Sequence, residues 1–556
     1  KICLGMSAYS SNVKMHGVPP QQATYANYAP SMAQSKAQAA AFVPGNMRIG
    51  TPPTPKQQQA PVSKCNDSFF AILFIAHFIL IGWLGFSKGI PEIEGTAEST
   101  SNADFKAPTE TIDVDIPTTA LFTCIFLTLA MGAVLGLAYV KLCLTWGENL
   151  IHYSTRALIG LYILFGVLFV GYGSTFGGIL CFIVAAIIAC WYSCVQRLIA
   201  FAGANLSVAC DGASKFPTLF IVAFAALAMN IVWVVLWGFA MIGVAKPSDV
   251  AVVDINGQTY ESSLCVDYAK DDSMRDNEYC TNEGGCCDCA SNTAPSWSDL
   301  SDRDGACINP TMTQITYFGM LISFYWGSSV ISNVMHCVTA GAIASWWFKT
   351  DVGSTPVFDS FYRAMTTSFG SICLGSLLVA ILKAVRQLLR EARNNRNAGL
   401  FICIIDCCLS CVEWLLTMFN KYAFVYVSIY GYDFKTAGSA VWKLFTEQGF
   451  IPIINDDIID TALSFGCLGS GVITGFVGYA YGAGAGVSDE YKLVMFVIGV
   501  VAGFAMSQVT LNVIASAIAT VYVCWAENKQ ALQGTNPAHF NTLNSAWTKR
   551  VQEIGV

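Results

Sequence analysis

Charge is what this sequence has least of: 12% of its 556 residues are charged, whereas 54% are hydrophobic. About ten long apolar stretches lie between residues 69 and 524. A run of ~20 apolar residues spans a bilayer core, and one soluble core has no use for so many, which excludes a soluble globular fold. Also missing are G-x-x-x-x-G-K-[ST], H-E-x-x-H and G-x-S-x-G, and with them the phosphate cradle, the zinc-peptidase helix and the hydrolase nucleophile elbow. The chain therefore reads as an all-α, polytopic helical membrane protein rather than an enzyme, with the lipid bilayer as its surroundings and no cofactor, metal or nucleic acid called for.

Acidic residues are absent from the first 66 positions, which carry Lys1, Lys14, Lys36, Arg48, Lys56 and Lys64 among Gln, Ala, Ser, Tyr and Pro. Such a segment has too little apolar surface to fold, and its positive charge favours the cytoplasmic side. The alternative is an organelle transit peptide, although the Arg-rich amphipathic pattern of one is lacking. The acids collect instead in two segments, residues 88–118 with a net charge of −5 and residues 246–310 with −9, so the rest of the −7 chain is basic. By the positive-inside rule both segments are outer loops. The second holds Cys265, Cys280, Cys286, Cys287, Cys289 and Cys307. An even set in an oxidising loop reads as a disulfide framework. A zinc site is the alternative, but no second C-x-x-C completes it.

The apolar periodicity places spans near 69–86, 118–142, 156–172, 176–198, 217–245, 314–347, 367–388, 400–422, 460–482 and 491–524. The expected organisation is a disordered cytoplasmic tail (1–66), five transmembrane helices with the first outer loop (67–245), a Cys-rich extracellular or lumenal loop (246–310), the remaining helices (311–527) and a cytoplasmic C-terminal tail (528–556). Both termini then lie inside. Lys383, Arg386, Arg390, Arg393 and Arg396 fall on the outer side of this scheme, so the seventh and eighth spans form either a full crossing or an interfacial hairpin. Asp406 and Glu413 in the eighth span favour the hairpin, because bare carboxylates are expensive at lipid depth. Cys403, Cys407, Cys408 and Cys411 are either palmitoylation sites or apolar filler. The ninth span is glycine-rich (Gly466, Gly469, Gly471, Gly475, Gly478, Gly482), which serves tight packing or a sliding surface.

No well-defined span has a carboxylate at its centre, which argues against a site for small hard cations. What the midplane offers is aromatic and neutral: Asn230, Trp233 and Trp237 in the fifth span, and Tyr325, Trp326, Asn333 and His336 in the sixth. Gln508 and Asn512 in the tenth and His77 in the first complete it. A quaternary ammonium has no N–H to donate, so ring faces and scattered dipoles are its natural partners. Trp233, Trp237, Tyr325 and Trp326 are thus the candidate cage for a small organic cation, with Asn333 orienting it. His336 is the candidate proton carrier, since imidazole titrates near neutrality. Each of these residues also has a plain packing role open to it.

From the sixth span onward the chain resembles the choline transporter-like family of solute carriers. The segments that carry the likeness are Tyr325-Trp326 through Ser332-Asn333-Val334-Met335-His336 and Ala340-Gly341-Ala342-Ile343-Ala344-Ser345-Trp346-Trp347. Ser368-Phe369-Gly370-Ser371, Cys411-Val412-Glu413-Trp414, Asn420-Lys421-Tyr422-Ala423, and Val521-Tyr522-Val523-Cys524-Trp525-Ala526-Glu527 add to it. The Asn-x-x-His form is similar to that of the fungal and plant-like branch. The resemblance implies a plasma-membrane or organelle-membrane carrier of choline or ethanolamine, working by proton exchange. A rival expectation is a non-transporting assembly protein of a membrane complex.

Overall fold

The computed structural model describes residues 65–91 and 93, 118–245, 253–255, 258–260, 310–348, 355–395, 400–448 and 451–554. The expected N-terminal tail, the first outer loop and all six cysteines of the second lie outside these residues or nearly so. Of the second loop only a short antiparallel hairpin is described, β1 (Val253–Ile255) with β2 (Gln258–Tyr260).

Twelve α-helices are described: α1 (Ser68–Leu84), α2 (Thr118–Gly171), α3 (Thr175–Ser214), α4 (Thr218–Ala245), α5 (Pro310–Phe348), α6 (Pro356–Met365), α7 (Phe369–Asn395), α8 (Leu400–Tyr430), α9 (Phe434–Gln448), α10 (Ile451–Gly484), α11 (Asp489–Thr535) and α12 (Pro537–Ile554). Among the described residues seven helices are long and apolar enough to cross a membrane: α1 with its π-helical extension to Gly89, α2, α3, α4, α7, α10 and α11. α5 and α8 are also long, but each carries polar groups along its length. For α5 the reason is position. It packs against α4, α6, α7, α8 and α11, and a helix so enclosed has little need of an apolar outer face.

The expected second and third spans are two helical segments that run on into each other across a kink at Trp146. α2 departs from helical geometry only at Trp146 (φ −124°, ψ 22°). The polar stretch between the two apolar runs, expected to be a loop, has no proline to stop a helix. Its hydrophilic groups find partners on α3 instead, with His152 Nδ1 2.7 Å from the Tyr192 hydroxyl. At the far end Gly173, at φ +85°, turns the chain into α3, a conformation in which glycine alone has no Cβ penalty.

Two of the basic residues that disturbed the sequence reading, Arg386 and Arg390, pair with its two carboxylates. α7 and α8 are antiparallel, and Arg386 bonds Asp406 (3.4 Å) and Glu413 across them, while Arg390 lies 3.8 Å from Asp406. Residues 528–554, expected as a tail, are helical. Asn528 breaks α11 (φ −154°, ψ 80°), and its side chain then caps the next turn by accepting from Ala531 N–H (3.1 Å). The freed Asn528 carbonyl accepts the Trp347 indole N–H at 3.1 Å. α12 docks on α3 through His539–Asp211 (2.9 Å) and Phe201–Trp547 (5.2 Å between rings).

The main core joins α3, α5, α8, α10 and α11, whereas α1 closes two smaller clusters with α4, α5 and α7. Asp67 fastens the start of α1. Its carboxylate accepts from Ser371 Oγ (2.6 Å) and from Phe434 N–H (2.9 Å), and Asn66 Nδ2 donates to the Gly431 carbonyl (2.7 Å). Outside the spans, Asp433 caps α9 through Thr436, whose hydrogen bonds hold its carboxyl below the usual range.

Candidate functional site

α5 and α11 run parallel and in register. His336 Nδ1 meets Ser516 Oγ at 2.8 Å, 180 positions apart, and Trp347 meets Asn528 at an offset of 181. Between these two contacts the seam is closed: Thr339, Ala340, Ile343, Thr520 and Val521 have no exposed surface. Towards the N-terminal ends of the same helices the picture changes. The same offset sets Ser332 opposite Asn512 and Ser328 opposite Gln508, yet Ser332 and Asn512 are exposed and Gln508 is half-buried. Gln508 and Asn512 bond each other (2.9 Å) rather than α5.

Residues three and four apart share a helical face. Tyr325, Ser329, Ser332 and His336 are therefore one stripe of α5, and Gln508, Asn512 and Ser516 one stripe of α11. The two stripes meet at His336–Ser516 and part above it. Hydroxyl and amide groups exposed midway along a spanning helix belong beside water rather than hydrocarbon. The two polar stripes thus reach the surface at Ser332 and Asn512, and the seam is closed from His336–Ser516 towards Asn528. Asn333, on the flank of the stripe, is tied to α7 by Nδ2–Ser376 Oγ (2.9 Å), and Lys383 of α7 holds its ammonium 6.0 Å from the centre of the Tyr325 ring.

The structure brings the expected cage together only in part. Trp233 and Trp237 of α4 meet α5 beside α1, Trp326 lies between α1 and α7, and Tyr325, packed against the same cluster as Trp326, and Asn333 face α7. Trp326 (5% exposed) gives its N–H to the Cys373 carbonyl (3.0 Å), stacks on His77 (4.9 Å between rings) and meets Phe74 edge-on (5.1 Å). Trp233, also buried, stacks on Phe78 (5.4 Å) and donates to the Phe324 carbonyl (3.4 Å). Trp237 donates to the Met320 carbonyl at 3.0 Å. All three indole N–H groups are satisfied by α5 or α7 backbone.

His336 is buried where the two stripes meet, and its second nitrogen, Nε2, lies 2.8 Å from the Lys421 carbonyl. A carbonyl only accepts, so Nε2 carries the proton, and Nδ1 of the neutral ring accepts from Ser516. The hydroxyl of Ser516 has a second acceptor in reach, the Asn512 carbonyl at 2.9 Å. Sequence reasoning missed what stands behind Lys421. Its ammonium pairs with Asp456 (3.0 Å), whose side chain has no exposed surface. Placing the ninth span at residue 460 left Asp456 in a loop. The signal was the spacing Ile453, Asp456, Ile459, Leu463 and Cys467, which extends the apolar stripe of α10 back through the carboxylate.

Comparison with known proteins bears on this arrangement. A family model described as plasma-membrane choline transporter matches residues 179–530, well over half of the chain. Protein PNS1 of Cryptococcus neoformans is 30% identical over 272 residues, covering 45% of this chain and 48% of its own length. A CTL-like protein of Dictyostelium discoideum is 25% identical over 439 residues (77% of this chain, 67% of its own), and protein PNS1 of Yarrowia lipolytica is 26% identical over 503 (87% and 78%). The first of these matches spans about half of the relative's length. All of α4 to α10, and α11 as far as its break at Asn528, fall inside the family match.

Proposed function

The chain belongs to the choline transporter family, and from that premise we propose that it is a secondary transporter moving choline or a related organic cation, such as ethanolamine, across a membrane in exchange for protons. The observation that carries the reading is the α5–α11 seam, closed from His336–Ser516 towards Asn528 and bearing the exposed polar groups of Ser332 and Asn512 at its other end, which we read as the mouth of a substrate cleft. A carrier working by alternating access needs such a one-sided opening at mid-depth. The plasma membrane is the proposed location, with both termini cytoplasmic.

In this reading the ammonium group rests on the Tyr325 ring, and Asn333 and Asn512 orient the alcohol. Lys383 lies over that ring, so substrate must push a like charge aside. Trp233, Trp237 and Trp326 form the second layer of the cage, fixing the α5 backbone from the α1 side. His336 couples the proton. When Nδ1 gains one it becomes a donor, and Ser516 must turn its hydrogen towards the Asn512 carbonyl. One proton then reverses a hydrogen bond across the seam that closes the cleft.

The test is uptake of labelled choline into proteoliposomes, with and without an imposed pH gradient. Saturable, gradient-sensitive uptake is expected; sealed vesicles that take up none would refute the reading. His336→Gln should flatten the dependence of uptake rate on pH. An unaltered profile removes His336 from proton coupling.

A further inference from the structure

Asp456 is the one carboxylate among the described residues with almost no exposed surface (1%). Its Oδ2 makes an ion-pair contact with the Lys421 ammonium at 3.0 Å, while neither of its oxygens and neither amide atom of the neighbouring Asn455 has a hydrogen-bond partner among the described residues. A buried carboxylate with one oxygen paired and the other bare is held ionised by its counter-charge alone, and a proton is what its bare oxygen can accept. The groups facing it are Lys421 and Tyr422 from α8, Asp460 from its own helix, and Tyr522 of α11 behind the Tyr422 ring (6.4 Å). The Tyr422 hydroxyl is committed to the Pro452 carbonyl (3.0 Å). Lys421 also holds His336 through its own backbone carbonyl, so the pair sits directly behind the floor of the cleft.

We propose that Asp456, paired with Lys421, is a second protonation site that carries the exchanged proton while the cleft is empty. This rests on the transport reading above. The proton adds to Oδ1 as an O–H bond, and the pair goes from neutral to a single positive charge. The neutral carboxyl no longer holds the ammonium, which frees the Lys421 side chain directly behind His336. A monovalent organic cation entering the cleft expels that proton to solvent. The protein then bears the same charge in both halves of the cycle, and exchange is electroneutral. The ammonium at 3.0 Å excludes a metal cation from the same oxygen.

The experiment is proton release from the purified full chain in weakly buffered detergent on addition of choline. The wild type is expected to acidify the medium by about one proton per choline bound (the exchange stoichiometry for a single carboxyl). Asp456→Asn should abolish the release. Because removal of one partner of a buried pair can prevent folding, the double variant Lys421→Met/Asp456→Leu is measured alongside. In proteoliposomes it should lose acceleration by a pH gradient, while exchange of labelled for unlabelled choline, which moves no proton, stays measurable. Release that persists in Asp456→Asn, gradient sensitivity that survives in the double variant, or coupling to sodium instead would overturn the proposal and leave the transporter standing. A wild type that neither binds nor moves choline would instead defeat the transport reading itself.

Discussion

Trp326→Leu is expected to destabilise the folded protein by about 3 kcal/mol, the scale of truncating a large buried aromatic, and to lower its yield from membranes. Tyr325→Leu, one residue away, is expected to leave stability nearly unchanged and to raise the choline KM about tenfold, as loss of ~1–2 kcal/mol of cation–π attraction would. The contrast follows from the two faces of α5. The indole of Trp326 is enclosed by Phe74, His77 and Phe369 neighbours and spends its N–H on the Cys373 carbonyl. Leucine leaves both a void and an unpaired carbonyl. The Tyr325 ring is only half-buried on the stripe that ends at His336, so leucine there removes a ring face and little packing. Thermal unfolding in detergent beside choline uptake separates the two. A Trp326→Leu protein that folds as well as wild type but fails to bind choline would put the indole in the substrate site itself.

That contrast also marks how far the sequence could be read. Tyr325, Trp326, Asn333 and His336 were legible as a polar and aromatic patch in one helix, because their spacing is local. Which side of α5 each takes depends on which helices α5 meets, and α1, the partner of Trp326, is some 250 positions away. The same limit explains Asp456. Its counter-charge, Lys421, belongs to a different helix, and a carboxylate read without its partner looks like the end of a span. Hydropathy found the seven helices apolar enough to cross a membrane, but it read as a loop the polar stretch of α2, where the helix only kinks, at Trp146, and its groups find partners on α3. It also passed over α6, α9 and α12, whose exposed faces are polar or mixed. What apolar pattern reveals is contact with lipid; what it hides is pairing inside the bundle.

The glycines of α10 and α11 give the sharpest expected contrast in stability. A Cβ on Gly499 would lie 2.5 Å from the Thr474 carbonyl oxygen and 2.9 Å from the Gly475 Cα, both backbone atoms. No rotamer change relieves such contacts, so the helices must separate. Thr474 Oγ1 then loses its 2.8 Å bond to the Gly499 carbonyl, and the Ser507–Ser470 hydroxyl contact two turns on is strained with it. Gly499→Val should therefore cost several kcal/mol, beyond the ~1–3 kcal/mol of ordinary overpacking, and leave little folded protein. Gly469, in the same glycine-rich run of α10, meets nothing within 4 Å. Gly469→Ala should stabilise by up to ~1 kcal/mol through helix propensity alone. Monodispersity and thermal unfolding of the two variants check both signs at once. The two helices are dovetailed backbone to backbone, which fits one rigid unit better than a pair that slides. A Gly499→Val protein that folds and transports normally would mean that α10 and α11 part during the cycle by more than a side chain's width, and would return the glycine run to the moving surface of the carrier.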